Sequence, residues 1–148
     1  MITVAAADWR ATLQAAHDRG LLCLDVLTAV DLRTHLDVIA RVLDPLTGTG
    51  DDVSTSVTDG VLDSIEPVYP AAAWFEREAA EMFGLRFAGL SDDRPLILRT
   101  TATKPPMLKS VLLDERASTP WPGSAEPGGS PGRRRLLPPG VPDEGPTS

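Results

Sequence analysis

A break in composition near residue 118 narrows the possible folds more than any other feature. Residues 118–148 hold eight of the chain's 14 prolines and six of its 12 glycines, and the 117 residues before them hold only six of each. Proline lacks a backbone donor and glycine loses the most entropy on ordering. This stretch therefore cannot bury enough apolar surface to offset the cost of ordering itself. Any core has to come from residues 1–117, the length of one compact domain. Residues 118–148 are expected to be a tail, either a disordered end or an extended arm laid over another protein. Within it Arg133, Arg134 and Arg135 make the one dense cationic cluster. On a chain of formal charge −7 that cluster suits an acidic protein surface better than DNA, with a solvated charge run as the competing reading.

The excess of 21 acidic over 14 basic residues argues against a protein that coats nucleic acid or spreads on anionic lipid. One cysteine, Cys23, rules out an internal disulfide framework and a multi-cysteine zinc or iron–sulfur site. No stretch reaches the roughly 18 uninterrupted apolar residues of a membrane span. The first residues lack a basic stretch followed by a long apolar run, so an export signal is not expected. A cytoplasmic location follows, with docking onto a membrane-embedded partner left open.

Local patterns predict alternating helices and strands. A helix over 8–19 is capped by Asp8, turns Trp9, Leu13 and Ala16 inward, and stops at Gly20. Leu21 to Val30 and Leu36 to Leu43 read as strands joined by a polar turn at Asp31 to Thr34. Val53 to Thr58 reads as a third, with Val53, Thr55 and Val57 on one face. Connections this short hold no crossover helix, so the sheet is expected to be antiparallel. Gly60 to Glu66 is expected as a short helical turn.

The strongest helix covers 71–83, with no internal proline and Gly84 just past its end. Ala72, Phe75, Ala79 and Met82 form its apolar stripe, and Trp74, Glu78 and Glu81 form a neighbouring face. Phe75 and Met82 are expected in the core, and Trp74 at its edge or at an interface. Arg77 can reach Glu81 one turn on. Phe87 and Leu90 are placed in a turn or hairpin.

The sequence offers little support for catalysis. Gly48 and Gly50 precede Asp51 and Asp52, which would repel phosphate, and no Gly-x-Ser-x-Gly elbow occurs. His17 and His35 have no recognisable partner in the sequence. Glu76 and Glu78 project about 200° apart on a helix, so they do not make one acid–base site. A binding role is better supported: Trp74 and Phe75 offer contact area, and Glu78 and Glu81 add directional charge.

The run Tyr69-Pro70-Ala71-Ala72-Ala73-Trp74-Phe75-Glu76-Arg77-Glu78-Ala79-Ala80-Glu81-Met82-Phe83-Gly84 resembles the signature of the C-type, or 30-kDa, subunit of bacterial NADH–quinone oxidoreductase. A related domain occurs in complex I-like membrane-bound nickel–iron hydrogenases. Glu76, Arg77, Glu78, Phe83 and Gly84 match the pattern, and Glu81 stands where the family has aspartate. Leu27 to Asp31 and Val57 to Asp59 resemble further family segments. After Gly89 the likeness thins: Leu90 and Ser91 replace a His-Pro pair, and Pro95 interrupts an arginine pair, leaving Asp93, Arg94 and Ile97 as an approximate match. Pro106 to Lys109 is loosely similar to a Pro-Leu-Arg-Lys motif, with Lys109 retained. The resemblance covers about Leu22 to Lys109.

The likeness implies an α+β domain over 1–117: a mainly antiparallel sheet with packed helices, followed at 118–148 by an extended, Pro/Gly-rich, partner-binding arm. It implies a cofactor-free structural subunit, not catalytic alone, in the hydrophilic arm of a membrane-bound redox complex. Its partners would be a large catalytic subunit and an iron–sulfur subunit, which would carry the Fe–S clusters and any nickel–iron centre or quinone. The chain would sit peripherally on the cytoplasmic face of the membrane. The interface and signature residues are Trp74, Phe75, Glu76, Arg77, Glu78, Glu81, Phe83, Gly84, Arg94, Lys109, Trp121, Arg133, Arg134 and Arg135. No catalytic, cofactor or metal-binding residue is assigned. The degraded segment after Gly89 and the arm from Thr119 to Gly123 favour the hydrogenase-like branch. The 30-kDa subunit of the respiratory NADH–quinone oxidoreductase is the alternative, and a free-standing protein-binding adaptor is the second.

Overall fold

The computed structural model of the chain describes residues 1–98 and 104–112. In order along the chain come β1 (Ile2–Val4), a 3-10 turn (Ala6–Asp8), α1 (Trp9–Asp18), β2 (Cys23–Asp31), β3 (Leu36–Leu43), β4 (Gly50–Val57), β5 (Val61–Asp63), α2 (Ala72–Phe83) and β6 (Arg86–Ala88). Strands β2, β3 and β4 form an antiparallel meander, and β1 adds to β4 in parallel, giving the sheet order β1-β4-β3-β2. β5 and β6 make a separate parallel pair.

The meander follows from its short connections and its alternation. Val38, Ala40 and Val42 of β3 are fully buried, beside Leu27 and Ala29 of β2 and Val53, Thr55 and Val57 of β4. Onto this face α1 contributes Trp9, Leu13 and Ala16, and α2 contributes Ala72 and Ala79, with Phe75 partly buried. Tyr69 ties the entrance of α2 to the end of α1. Its hydroxyl donates to the Leu21 carbonyl at 2.8 Å, and burial pushes its pKa up to about 12.

Four expectations need correction. Gly60 to Glu66 does not open as a helical turn, because Val61 to Asp63 pair with Arg86 to Ala88 as strands. The same pairing puts Phe87 in a strand and not in a hairpin. Asp8 directly precedes α1 but makes no side-chain cap, since it closes the 3-10 turn with its N–H 2.9 Å from the Ala5 carbonyl. Met82 is half-buried, on the last turn of α2 where its carbonyl accepts the N–H of Met107 at 3.0 Å.

The helix stops are as expected. Gly20 follows α1 at φ 101°, and Gly84 closes α2 at φ 74°, a left-handed conformation that favours glycine. A Cβ on Gly84 would also come within 3.0 Å of Pro105 Cγ, so this turn is tight as well as left-handed.

Candidate partner interface

α2 presents three chemically distinct faces, and the signature charges are divided among them. On the inner face Glu76 is fully buried. Its carboxylate accepts the Ser64 hydroxyl at 2.6 Å and the Ile65 N–H at 2.7 Å. Burial drives the Glu76 pKa up to about 7, even though these two hydrogen bonds favour the charged form. The Ser64 carbonyl in turn accepts Arg10 Nε at 2.7 Å, and the same guanidinium reaches the Ala88 carbonyl at 3.2 Å. Glu76 therefore connects α2 to the β5 exit, and Arg10 extends the connection to α1 and β6.

One flank of α2 grips the loop at 92–98 by both polarities of its backbone. Arg77 donates to the carbonyls of Arg94 at 2.9 Å and Pro95 at 3.1 Å, and lies 3.4 Å from the Asp92 carboxylate. Glu81 accepts the next three N–H groups, from Leu96, from Ile97 at 2.8 Å and from Leu98 at 3.2 Å. Burial opposes ionisation of Glu81, but the three donors outweigh it and hold its pKa below the usual range. Arg77 and Glu81 thus share a loop in place of the expected ion pair with each other. Asp92 also takes Arg94, through Nε at 2.8 Å and Nη2 at 2.7 Å, and these bonds hold its carboxyl far below the normal value.

The outer face carries Trp74 and Glu78. Trp74 is 62% exposed, and the Arg77 guanidinium carbon lies 5.5 Å from its ring centroid. Glu78 is exposed. At the end of α2 the segment 104–109 joins the domain through Asp31, whose carboxylate accepts the backbone N–H of Lys109 and of Arg33, each at 2.6 Å. The Lys109 amide, then the Arg33 amide, lower the Asp31 pKa.

The expected signature residues therefore separate. Glu76 is not a surface group, because its charge is spent inside the domain. Phe75 and Phe83 are partly buried against the core. Arg94 is exposed and paired with Asp92, and Lys109 enters through its backbone N–H. Trp121, Arg133, Arg134 and Arg135 lie outside the described residues. Ser64, Arg10, Asp31 and Asp92 were missed. The spacing Ala72, Glu76, Ala79, Phe83 is the legible sign that Glu76 shares the apolar face. Ser64 and Arg10 act across the chain and carry no local signal. Asp31 and Asp92 also accept the N–H two residues on, a local turn pattern that does not reveal their distant contacts with Lys109 and Arg77.

Among the described residues no three His, Cys, Asp or Glu side chains are grouped to hold a metal ion, and no helix is long and apolar enough to cross a membrane. Fold and site together define a small α+β module that carries its signature on a helix face, with most signature charges bracing its own loops.

Residues 2–117 match the family described as respiratory-chain NADH dehydrogenase, 30 Kd subunit, and the chain belongs to that family. It is 37% identical over 109 residues to the C/D polypeptide of the NADH-quinone oxidoreductase of Methylococcus capsulatus, a match covering 66% of this chain and 19% of that protein. The C-type subunit of the Rhodobacter capsulatus enzyme is 51% identical over 39 residues, 26% of this chain and 20% of its own length. The matched stretches thus span about a fifth of either relative.

Two solved structures share the fold. A trypsin-resistant fragment (1–134) of Nqo5 superposes with a TM-score of 0.52 at 18% identity, covering 61% of this chain and 79% of the fragment. A chain of the membrane-bound sulfane sulfur reductase, an archaeal respiratory membrane complex, gives 0.61 at 24% identity, covering 67% and 62%. The sequence relatives carry the respiratory name, so they favour the respiratory alternative over the hydrogenase-like branch that the segment after Gly89 suggested.

Proposed function

We propose that the chain is the C-type, 30-kDa module of a respiratory NADH–quinone oxidoreductase. It acts as a structural subunit that holds a larger D-type subunit and its iron–sulfur neighbours in register. The observation that carries this reading is the family match across residues 2–117, together with a relative whose name joins the C and D polypeptides. Electron carriers and quinone belong to the partners in this reading, and the chain contributes contact surface and rigidity. It sits on the cytoplasmic face, held to the membrane through its partners, with residues 118–148 as an arm over them.

The test is purification of the tagged full chain from membranes in mild detergent, with every stoichiometric component identified. The expected assembly contains the D-type subunit and iron–sulfur subunits. Recovery of the chain alone, active by itself, sinks the proposal. A large subunit with nickel-ligating cysteines would return the hydrogenase-like reading. Removing 118–148 is expected to weaken the assembly, and unchanged assembly would exclude the arm.

A further inference from the structure

The loop grip on α2 has a consequence at the surface. Arg77 sits over the Trp74 ring and also binds the Pro95 carbonyl, so one guanidinium fixes Trp74 and Pro95 beside each other. One turn further, Glu81 holds the N–H groups of Leu96 to Leu98, which sets the position of Ile97. Trp74 and Ile97 nevertheless remain 62% and 58% exposed. Arg77 itself is only 12% exposed, so its charge serves this internal contact and not the solvent. The result is a strip of surface across α2 and the loop it grips, with Trp74 and Ile97 as its exposed apolar side chains and their positions set in advance.

Most of the ordering cost of using that strip has already been met by the internal hydrogen bonds, which is the property that lets a few side chains dominate an interface. Among the described residues around it, Glu78 and Asp93 are exposed acids, and Arg86 is an exposed cation in the cavity it shares with Arg77, Glu81 and Pro95. Arg94 is paired with Asp92, so the border is net acidic. An anionic lipid surface is repelled by such a border. A second copy of a chain of net charge −7 is repelled as well.

From this geometry we infer that Trp74 and Ile97, held by the Arg77–Glu81 grip, form the anchor that enters an apolar socket with a Lys/Arg rim on the large partner. The inference rests on the functional reading above and names the contact within it. Trp74 is the principal anchor, Ile97 extends it, and Glu78 pairs with the cationic rim.

The test uses the full chain with the purified D-type subunit of the same organism. Trp74→Ala is expected to weaken association roughly tenfold or more, Trp74→Phe less, and Ile97→Ser several-fold. Glu78→Gln is expected to flatten the salt dependence of the wild-type affinity. A second measurement needs no change at the anchor. In the Trp121→Phe chain the remaining tryptophans are buried Trp9 and exposed Trp74, so acrylamide quenching reports Trp74 and is expected to fall when the D-type subunit binds.

Wild-type affinity in both Trp74→Ala and Ile97→Ser, or unchanged quenching in the formed complex, overturns the anchor and leaves the functional reading in place. No association of the wild-type chain with the D-type subunit overturns both. Binding to phosphatidylglycerol vesicles with no preference for the D-type subunit overturns the choice of a protein partner.

Discussion

Glu76 and Glu81 stand on the same helix, five positions apart, and their pKa values are displaced in opposite directions. Glu76 faces inward, where burial raises its pKa to about 7. Glu81 lies on the flank, where three backbone donors bring its pKa below the usual range. Each side chain accepts hydrogen bonds from a loop, but the inner one bears a larger desolvation cost. A family signature rich in charge can therefore be mostly internal engineering. The inner carboxylate supports the fold, and the outer one shapes a surface.

The largest effect is expected at the inner site. Glu76→Ala leaves the Ser64 hydroxyl and Ile65 N–H buried without their acceptor and should cost about 3 kcal/mol, measured by urea unfolding. Glu76→Gln keeps one acceptor oxygen and should cost less.

The pH profile is the next way to separate the two carboxylates. The folded pKa of Glu76 is raised to about 7 from an ordinary 4.5, so the native state binds the extra proton between those values. Its stability contribution is complete below about pH 4.5 and lost as pH rises through about 7. The domain should gain on the order of 2 kcal/mol between pH 7.5 and 5, and Glu76→Gln should flatten that window. Glu81, with its lowered pKa, gives the opposite slope: its contribution is present above the unfolded value and lost as pH falls through the folded one.

Gly84→Ala comes third. It forces an alanine to φ 74° with its Cβ 3.0 Å from Pro105, and should cost about 1–2 kcal/mol in thermal or urea melts. The smallest global effect belongs to the flank. Glu81→Ala should leave overall stability nearly unchanged while speeding amide exchange at Leu96, Ile97 and Leu98. A large loss of global stability there would remove the contrast between the two faces.

How much of this could be read in advance depends on how far each signal reaches along the chain. Leu36–Leu43 was legible as a strand and 71–83 as a helix because their periodicity repeats over two or more turns or pleats. β1, β5 and β6 have three residues each, too few for a pattern, and they exist because partners distant in sequence pair with them. The position of Glu76 was half legible, through its spacing with Ala72, Ala79 and Phe83. Expectation instead placed it with the surface charges, since its partners Ser64 and Ile65 lie on another element.

The amino-acid order alone determined the three antiparallel strands, both helix stops and the family signature, because each depends on neighbours a few positions away. Only the tertiary structure decided which signature charges turn inward, that Arg77 and Glu81 hold a loop in place of each other, and that Trp74 stays at the surface. Those outcomes depend on the groups that folding brings beside α2, and a residue's environment, more than its type, sets the cost of its charge.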